Sequence, residues 1–370
     1  MKQPLKHVLE SSCGMKNPFR IFAEFGFSEI PGLKRVNKYN RKIAKTRNGL
    51  KSYAGFSGFE LGLWSLGLFL RDGSINHDRL RHFINDGERY PRFHACLEIV
   101  PEYFKSTHFN LANGEQKNVH FLKSQIAISR TLSSVEKPVL VVHPGFVEDI
   151  RNKEAGIQNI KKTLSEVIAY AEQQNVILGI ENMFWNDAVY YIGMDAEELR
   201  EIIDTFSSDF VKITFDWGHL STVLSRRKLK DPYNEIDNYI SYLGKRIVHT
   251  HINYNHCLEP LWQPKVSLKR RFFARATRRS SKGGVRVMAT ETHDEHLPFS
   301  SMERDGREHF LKNIKTLFAQ SDVVEHGFVT HEVLPQKVFS IFPVNKEGAA
   351  LEDHKHDITL LNGLLAKPSS

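Results

Sequence analysis

A chain of 370 residues with 41% hydrophobic and 25% charged side chains can bury a large core, which excludes disordered and fibrous classes. No apolar run approaches the roughly 18 residues of a membrane span, and residues 1–14 are polar and charged, without the apolar segment of a secretory signal. The expectation is a cytoplasmic protein with no membrane partner.

The net charge of +8 is unevenly placed. Residues 34–51 hold eight basic side chains and residues 265–286 hold nine, neither stretch containing an acid, and the rest of the chain carries 34 basic against 43 acidic residues. Such blocks suit contact with phosphate or nucleic acid, or form solvated loops. Cys13, Cys96 and Cys257 are odd in number and far apart, so they read as reduced structural thiols and not as a disulfide framework.

In chain order, residues 59–65, 95–100 and 106–109 read as the first three strands, with a helix over 78–85. Residues 1–55 then form an N-terminal extension. From residue 138 a unit repeats, in which a Val/Ile/Phe-rich run ends in a polar residue and an amphipathic helix follows. The runs are 138–143 (PVLVVH), 175–181 (NVILGIE), 211–216 (VKITFD), 246–251 (RIVHTH) and 327–332 (GFVTHE). Near-continuous apolar strands are what a parallel sheet buried on both faces requires. Ile157, Ile160, Leu164, Val167, Ile168 and Ala171 share one helical face. Asp195 with Glu198 predicts a capping box ahead of Leu199 and Ile202, Asp231-Pro232 predicts a capped helix start, and residues 310–318 give a further apolar stripe. Residues 346–370 are left as a tail with a short docking helix.

The strand-ending residues His143, Glu181, Asp216 and His251 are separated by 38, 35 and 35 positions. An open doubly wound sheet would gather its ligands at one switch point beside a Gly-rich loop, and neither a G-x-G-x-x-G nor a Walker sequence occurs. Polar residues at nearly every strand end predict a closed (β/α)8 barrel over residues 56–345, with its site at the carboxyl face and a basic insertion at about 255–290, after strand 7. His108, His143, Glu181, Asp216, His219, His251, Asp294, His296 and Glu332 form a mixed imidazole and carboxylate set without thiolate, suited to zinc, manganese or iron. Any one such histidine alone reads equally as a hydrogen-bonded core or surface residue. A carboxylate that directly follows an apolar strand, as Glu181 and Glu332 do, must be paired or coordinated, because a desolvated lone charge is costly.

The series Thr107-His108-Phe109, His143-Pro144-Gly145, Gly179-Ile180-Glu181-Asn182, Asp216-Trp217-Gly218-His219, His251-Ile252-Asn253, Asp294-Glu295-His296 and His331-Glu332-Val333 resembles the xylose-isomerase-like barrel superfamily, and within it the endonuclease IV family of apurinic/apyrimidinic nucleases. The resemblance runs from about residue 57 to 335. It implies a first metal on His108, His143 and Glu181, a second on Glu181, Asp216, His251 and Glu332, and a third on His219, Asp294 and His296. Up to three ions are thus expected, zinc first, with Glu181 and Glu332 as catalytic carboxylates. The implied activity is hydrolysis of a phosphate ester or phosphodiester, abasic or damaged DNA included, by a metal-bridged hydroxide. Sugar isomerases and epimerases of the same superfamily match part of the set, with Glu181, Asp216, His251 and Glu332 on one ion; a non-catalytic nucleic-acid-binding protein with structural metals is the third reading. The sequence departs from the nuclease pattern at Tyr254, at the Leu297-Pro298-Phe299 that follows His296, and in the 43 positions between His251 and Asp294. Within that stretch Arg270, Arg271 and Arg275, interleaved with Phe272 and Phe273, are candidates for gripping phosphate or nucleic acid.

Overall fold

The structure, a computed structural model, describes residues 20–24, 48–54, 56–63, 67–70, 72–87, 89–96, 109–187, 189–227, 229–258, 294–326, 328–333 and 351–366. Eight strands close a barrel: β1 Arg20–Glu24, β2 Phe56–Gly62, β3 Arg92–His94, β4 Val139–Val142, β5 Ile177–Glu181, β6 Val211–Asp216, β7 Ile247–Ile252 and β8 Phe328–His331. Each pairs in parallel with its neighbours in chain order, and β1 closes the ring against β8.

β4 and β5 are buried along their whole length, as the apolar runs require of strands covered by helices outside and filled by side chains inside. The covering helices follow the expected stripes. Lys153–Gln174 buries Ile157, Ile160, Leu164, Val167 and Ala171; Pro232–Leu243 buries Ile236, Tyr239, Ile240 and Leu243; Arg304–Gln320 buries Phe310, Ile314 and Leu317. Asp231 caps its helix by accepting from the Asn234 N–H at 3.0 Å, with Pro232 in the first turn. Asp195 precedes the helix Ala196–Ile203, yet the expected capping box is not made: Glu198 instead accepts from the Gly193 N–H at 2.9 Å and from the Tyr190 hydroxyl.

The N-terminal third differs from the sequence reading. Arg20–Glu24, inside the expected extension, is a barrel strand, and the strand expected second, at 95–100, lies instead at Arg92–His94. Arg92-Phe93-His94 has polar residues at two of three positions, so no apolar run announces it. Both point where a barrel interior can pair them, and Arg92, Phe93 and His94 are all buried. Of the expected strand at 106–109, only Phe109 is described, as a buried residue outside any strand. The helix Lys117–Leu132 makes the crossover from β3 to β4.

The expected docking helix forms at Leu351–Ala366 and packs on the barrel through Ile358 and Leu361, both fully buried. Asp357 accepts from the backbone N–H groups of Phe299 (3.0 Å) and Ser300 (2.9 Å) and lies 2.8 Å from His331 Nε2. The two basic blocks fall outside the described residues except at Asn48–Lys51 of the first.

Candidate metal centre

Because all strands of a parallel barrel end at the same face, residues distant in sequence meet there. β3 ends at His94, β5 at Glu181 and β6 at Asp216; His143 directly follows β4, His251 is the penultimate residue of β7, and Glu332 follows β8. Alternation along the strands chooses which residues enter the barrel. On β7, His249 and His251 both face inward to Glu60 of β2, while Thr250 between them turns to the Phe215 carbonyl. On β8, Thr330 and Glu332 face inward and His331 turns out to His354 and Asp357 of the C-terminal helix.

Among the described residues three ligand-type groups share the mouth: His94, His143 and Glu181; Glu181, Asp216, His251 and Glu332; and His219, Asp294 and His296. Within each, one candidate ligand atom per residue lies within 4.8 Å of the others. Glu181 joins the first two. Its Oε2 is 2.9 Å from His143 Nε2 and 3.3 Å from His94 Nε2, and its Oε1 is 2.8 Å from His251 Nδ1. His251 Nδ1 also lies 3.2 Å from Glu332 Oε2. In the third group Asp294 Oδ2 is 2.6 Å from His296 Nε2 and 3.4 Å from His219 Nε2.

Asparagines hold these side chains. Asn253 Nδ2 donates to Asp216 Oδ2 (2.8 Å) and Glu332 Oε2 (3.3 Å), joining two carboxylates of the central group. Asn182 donates to the Asp216 carbonyl (2.8 Å) and accepts from its N–H (2.6 Å), extending the pairing of β5 with β6 beyond the strand end. Asn255 Nδ2 donates to Asp294 Oδ1 (3.3 Å), and its Oδ1 accepts from the backbone N–H of His296 (3.2 Å). His296 has φ 47, a left-handed conformation that costs a non-glycine residue roughly 1–3 kcal/mol and that surrounding contacts must enforce. Gly218 is required by close approach, since a Cβ there would stand 1.7 Å from Asn253 Oδ1. Gly145, with φ +97, lets the turn after His143 pass Asn110 Oδ1, which a Cβ would meet at 2.1 Å.

Burial and neighbouring charge oppose one another at this site. Burial pushes Glu181 upward, but the His251 charge and the contacts to His143, His251 and His94 outweigh it and hold the carboxyl well below its usual range. Burial pulls His251 down, and the surrounding carboxylates Glu60, Glu332 and Glu181 win, raising it well above the ordinary imidazole range. His219 is raised in the same way by Asp216 and Asp294 against its burial, and His296 by Asp294.

The residues fit divalent metal. Despite imidazole nitrogens at 2.8 to 3.3 Å, neither oxygen of the fully buried Glu181 receives an aligned hydrogen bond among the described residues, nor does His251 Nδ1 make one. A buried anion is normally satisfied by aligned hydrogen bonds; here nitrogen and oxygen atoms of several side chains converge on shared points without them, as ligands around a cation do. Nitrogen and oxygen donors suit zinc, manganese or iron. The described cysteines stand apart: burial pushes the Cys257 thiol up to about 12, and Cys96 higher still, so both remain protonated.

Eight of the nine expected ligand residues thus meet at the mouth. His108 lies outside the described residues, and His94 stands with His143 and Glu181 in the first group. Arg270, Arg271 and Arg275 also lie outside the described residues. His94, Glu60 and His249 were not singled out by the sequence reading, although Glu60 carried a signal: a carboxylate inside the apolar run FSGFELG must find partners once buried.

The fold and site define a parallel barrel with an imidazole and carboxylate centre at its carboxyl face. A family model described as xylose isomerase-like TIM barrel matches residues 51–264, more than half of the chain, and the chain belongs to that family. An uncharacterized protein of Methanocaldococcus jannaschii is 30% identical over 124 residues, which are 33% of this chain and 39% of that protein. The chain therefore matches well under half the length of this curated relative. Among solved structures, a D-psicose 3-epimerase determined in the presence of D-fructose is similar at a TM-score of 0.56 and 12% identity, covering 94% of this chain and 100% of the other. A D-tagatose 3-epimerase-like protein is similar at a TM-score of 0.54 and 18% identity, covering 94% and 97%. At these identities the likeness is one of fold. No helix among the described residues is long and apolar enough to cross a membrane.

Proposed function

We propose that the chain is a divalent-metal-dependent hydrolase of a phosphate ester or phosphodiester, of the endonuclease IV type. The observation that carries the reading is that three ligand groups, not one, share the mouth, with Glu181 common to two of them. His94, His143 and Glu181 would hold one ion, Glu181, Asp216, His251 and Glu332 a second, and His219, Asp294 and His296 a third, with zinc the first choice and manganese or iron the alternatives. Ions bound there supply positive charge for phosphate oxygens and acidify water. Glu181, fully buried with imidazole nitrogens beside both oxygens, has no solvent-facing oxygen to reach a substrate carbon, which suits holding metal better than shuttling a substrate proton. Glu332, at 8% exposure, is the carboxylate of the central group nearest to solvent and the candidate to face the reacting phosphate. Arg270, Arg271 and Arg275 are the proposed phosphate or nucleic-acid contacts, and abasic DNA is one substrate in this class.

A second reading is a single-metal sugar isomerase or epimerase. The central group is complete by itself, with Glu181 and Glu332 on either side of His251 Nδ1, and the similar solved structures described above carry 3-epimerase titles. Those titles lean to the second reading; the additional histidines and Asp294 lean to the first. Incubating the zinc- or manganese-loaded protein in parallel with phosphate monoesters, abasic duplex DNA and ketohexoses separates them. Release of phosphate or strand scission is expected, whereas ketose interconversion without ester cleavage would replace the proposal with the second reading. Salt-sensitive nucleic-acid binding without turnover of any of these would point to a non-catalytic binder.

A further inference from the structure

We infer that Glu60, inside the barrel beneath the mouth, is a positioning residue that fixes His251 for metal ligation. The inference rests on the metal centre proposed above and assigns its affinity in part to a layer that no substrate touches.

Glu60 is buried on β2, and both of its oxygens are occupied. Oε1 lies 3.0 Å from His251 Nε2, and Oε2 lies 3.1 Å from His249 Nε2 and accepts from the Thr330 hydroxyl at 2.7 Å. These are aligned hydrogen bonds, unlike the contacts of Glu181, so although Glu60, His249 and His251 could geometrically hold an ion, their facing atoms are already satisfied by protons. The two nitrogens of His251 therefore serve different ends. Nε2 donates to Glu60, which leaves Nδ1, facing Glu181 and Glu332 at 2.8 and 3.2 Å, as the nitrogen that would take a metal once its proton is displaced. An imidazole whose far N–H is bound by a carboxylate is locked in tautomer and orientation and is a more basic ligand. Thr330 and His249 in turn hold Glu60, and Thr330 stands two residues before Glu332 on the same inward face. One carboxylate thereby braces β2 against β7 and β8, the two strands that supply His251 and Glu332.

The test is a titration of the metal-free full chain with cobalt(II), following the visible bands and the number of ions bound by equilibrium dialysis, with folding checked by circular dichroism. In Glu60→Gln one site is expected to weaken by roughly 10–100-fold, with its bands altered, while the remaining sites bind as in the wild type. Glu60→Asp, which keeps the charge but shortens the reach, is expected to show a smaller loss and carries the test if the glutamine variant does not fold. Wild-type affinity and spectrum in a folded Glu60 variant, even one of lowered melting temperature, would overturn the positioning role while leaving the metal centre intact. A folded wild-type chain that binds no cobalt would overturn both.

Discussion

Two buried glutamates face opposite nitrogens of the His251 ring, and the protein treats them differently. Glu60 is satisfied by hydrogen bonds from His251, His249 and Thr330, whereas Glu181 has imidazoles at the same distances on both oxygens and no aligned hydrogen bond among the described residues. Burial pushes both carboxyls up, and in both the His251 charge, joined by contacts from the neighbouring histidines, wins and holds them well below the usual range. Charge alone does not distinguish them. Direction does: donors aimed at Glu60 complete a structural brace, while the nitrogens around Glu181 stand close without aligned hydrogen bonds, in an arrangement that could hold a cation.

The sharpest way to break this contrast is Glu181→Gln, which removes the anion from two ligand groups at once. Metal content is expected to fall by two ions and any ester hydrolysis by more than the roughly 100-fold that marks the upper end for losing a supporting contact. Full metal content in this variant, measured by elemental analysis, would erase the distinction. A smaller effect is expected of His94→Ala, which empties one position of the first group and should cost one ion per chain. His108→Ala should leave the ion count unchanged, so the pair of variants decides which histidine completes that group.

The smallest expected effect is a pH dependence. His251, His219 and His296 are held above the ordinary imidazole range by carboxylates that overcome their burial, so the metal-free protein keeps protons that ligation must displace. Metal affinity should therefore fall as pH is lowered between about 8 and 6, with protons released on binding. Calorimetry in buffers of different ionisation enthalpy reads that release, and pH-independent binding would mean that the three histidines are not ligands.

Legibility in the sequence followed the same physics. β4 to β8 were readable because strands buried on both faces are written as apolar runs, each ending in or followed by a chemically distinct residue, and Glu181, Asp216, His251 and Glu332 could be placed from that pattern. The strand expected at 95–100 lies at Arg92–His94 because three residues with polar side chains at both ends form no apolar run, and His94, which joins His143 and Glu181, has no such run to announce it. β1 escaped because its three apolar residues, Ile21, Phe22 and Ala23, sit between two charged ones and form no run like those of β4 to β8. Glu60 was legible in principle: the rule that singled out Glu181 applies equally to a carboxylate inside FSGFELG. What the sequence does not encode is direction, and only the geometry separates the glutamate held by donors from the one ringed by ligands.

The most direct measurement is anomalous diffraction at the zinc edge from crystals of the zinc-loaded chain. Three peaks are expected at the barrel mouth, two of them flanking Glu181 and the third between His219, Asp294 and His296. A well-ordered barrel with no peak at the mouth would contradict the metal centre, and a single peak at the central group alone would contradict the hydrolase reading built on three.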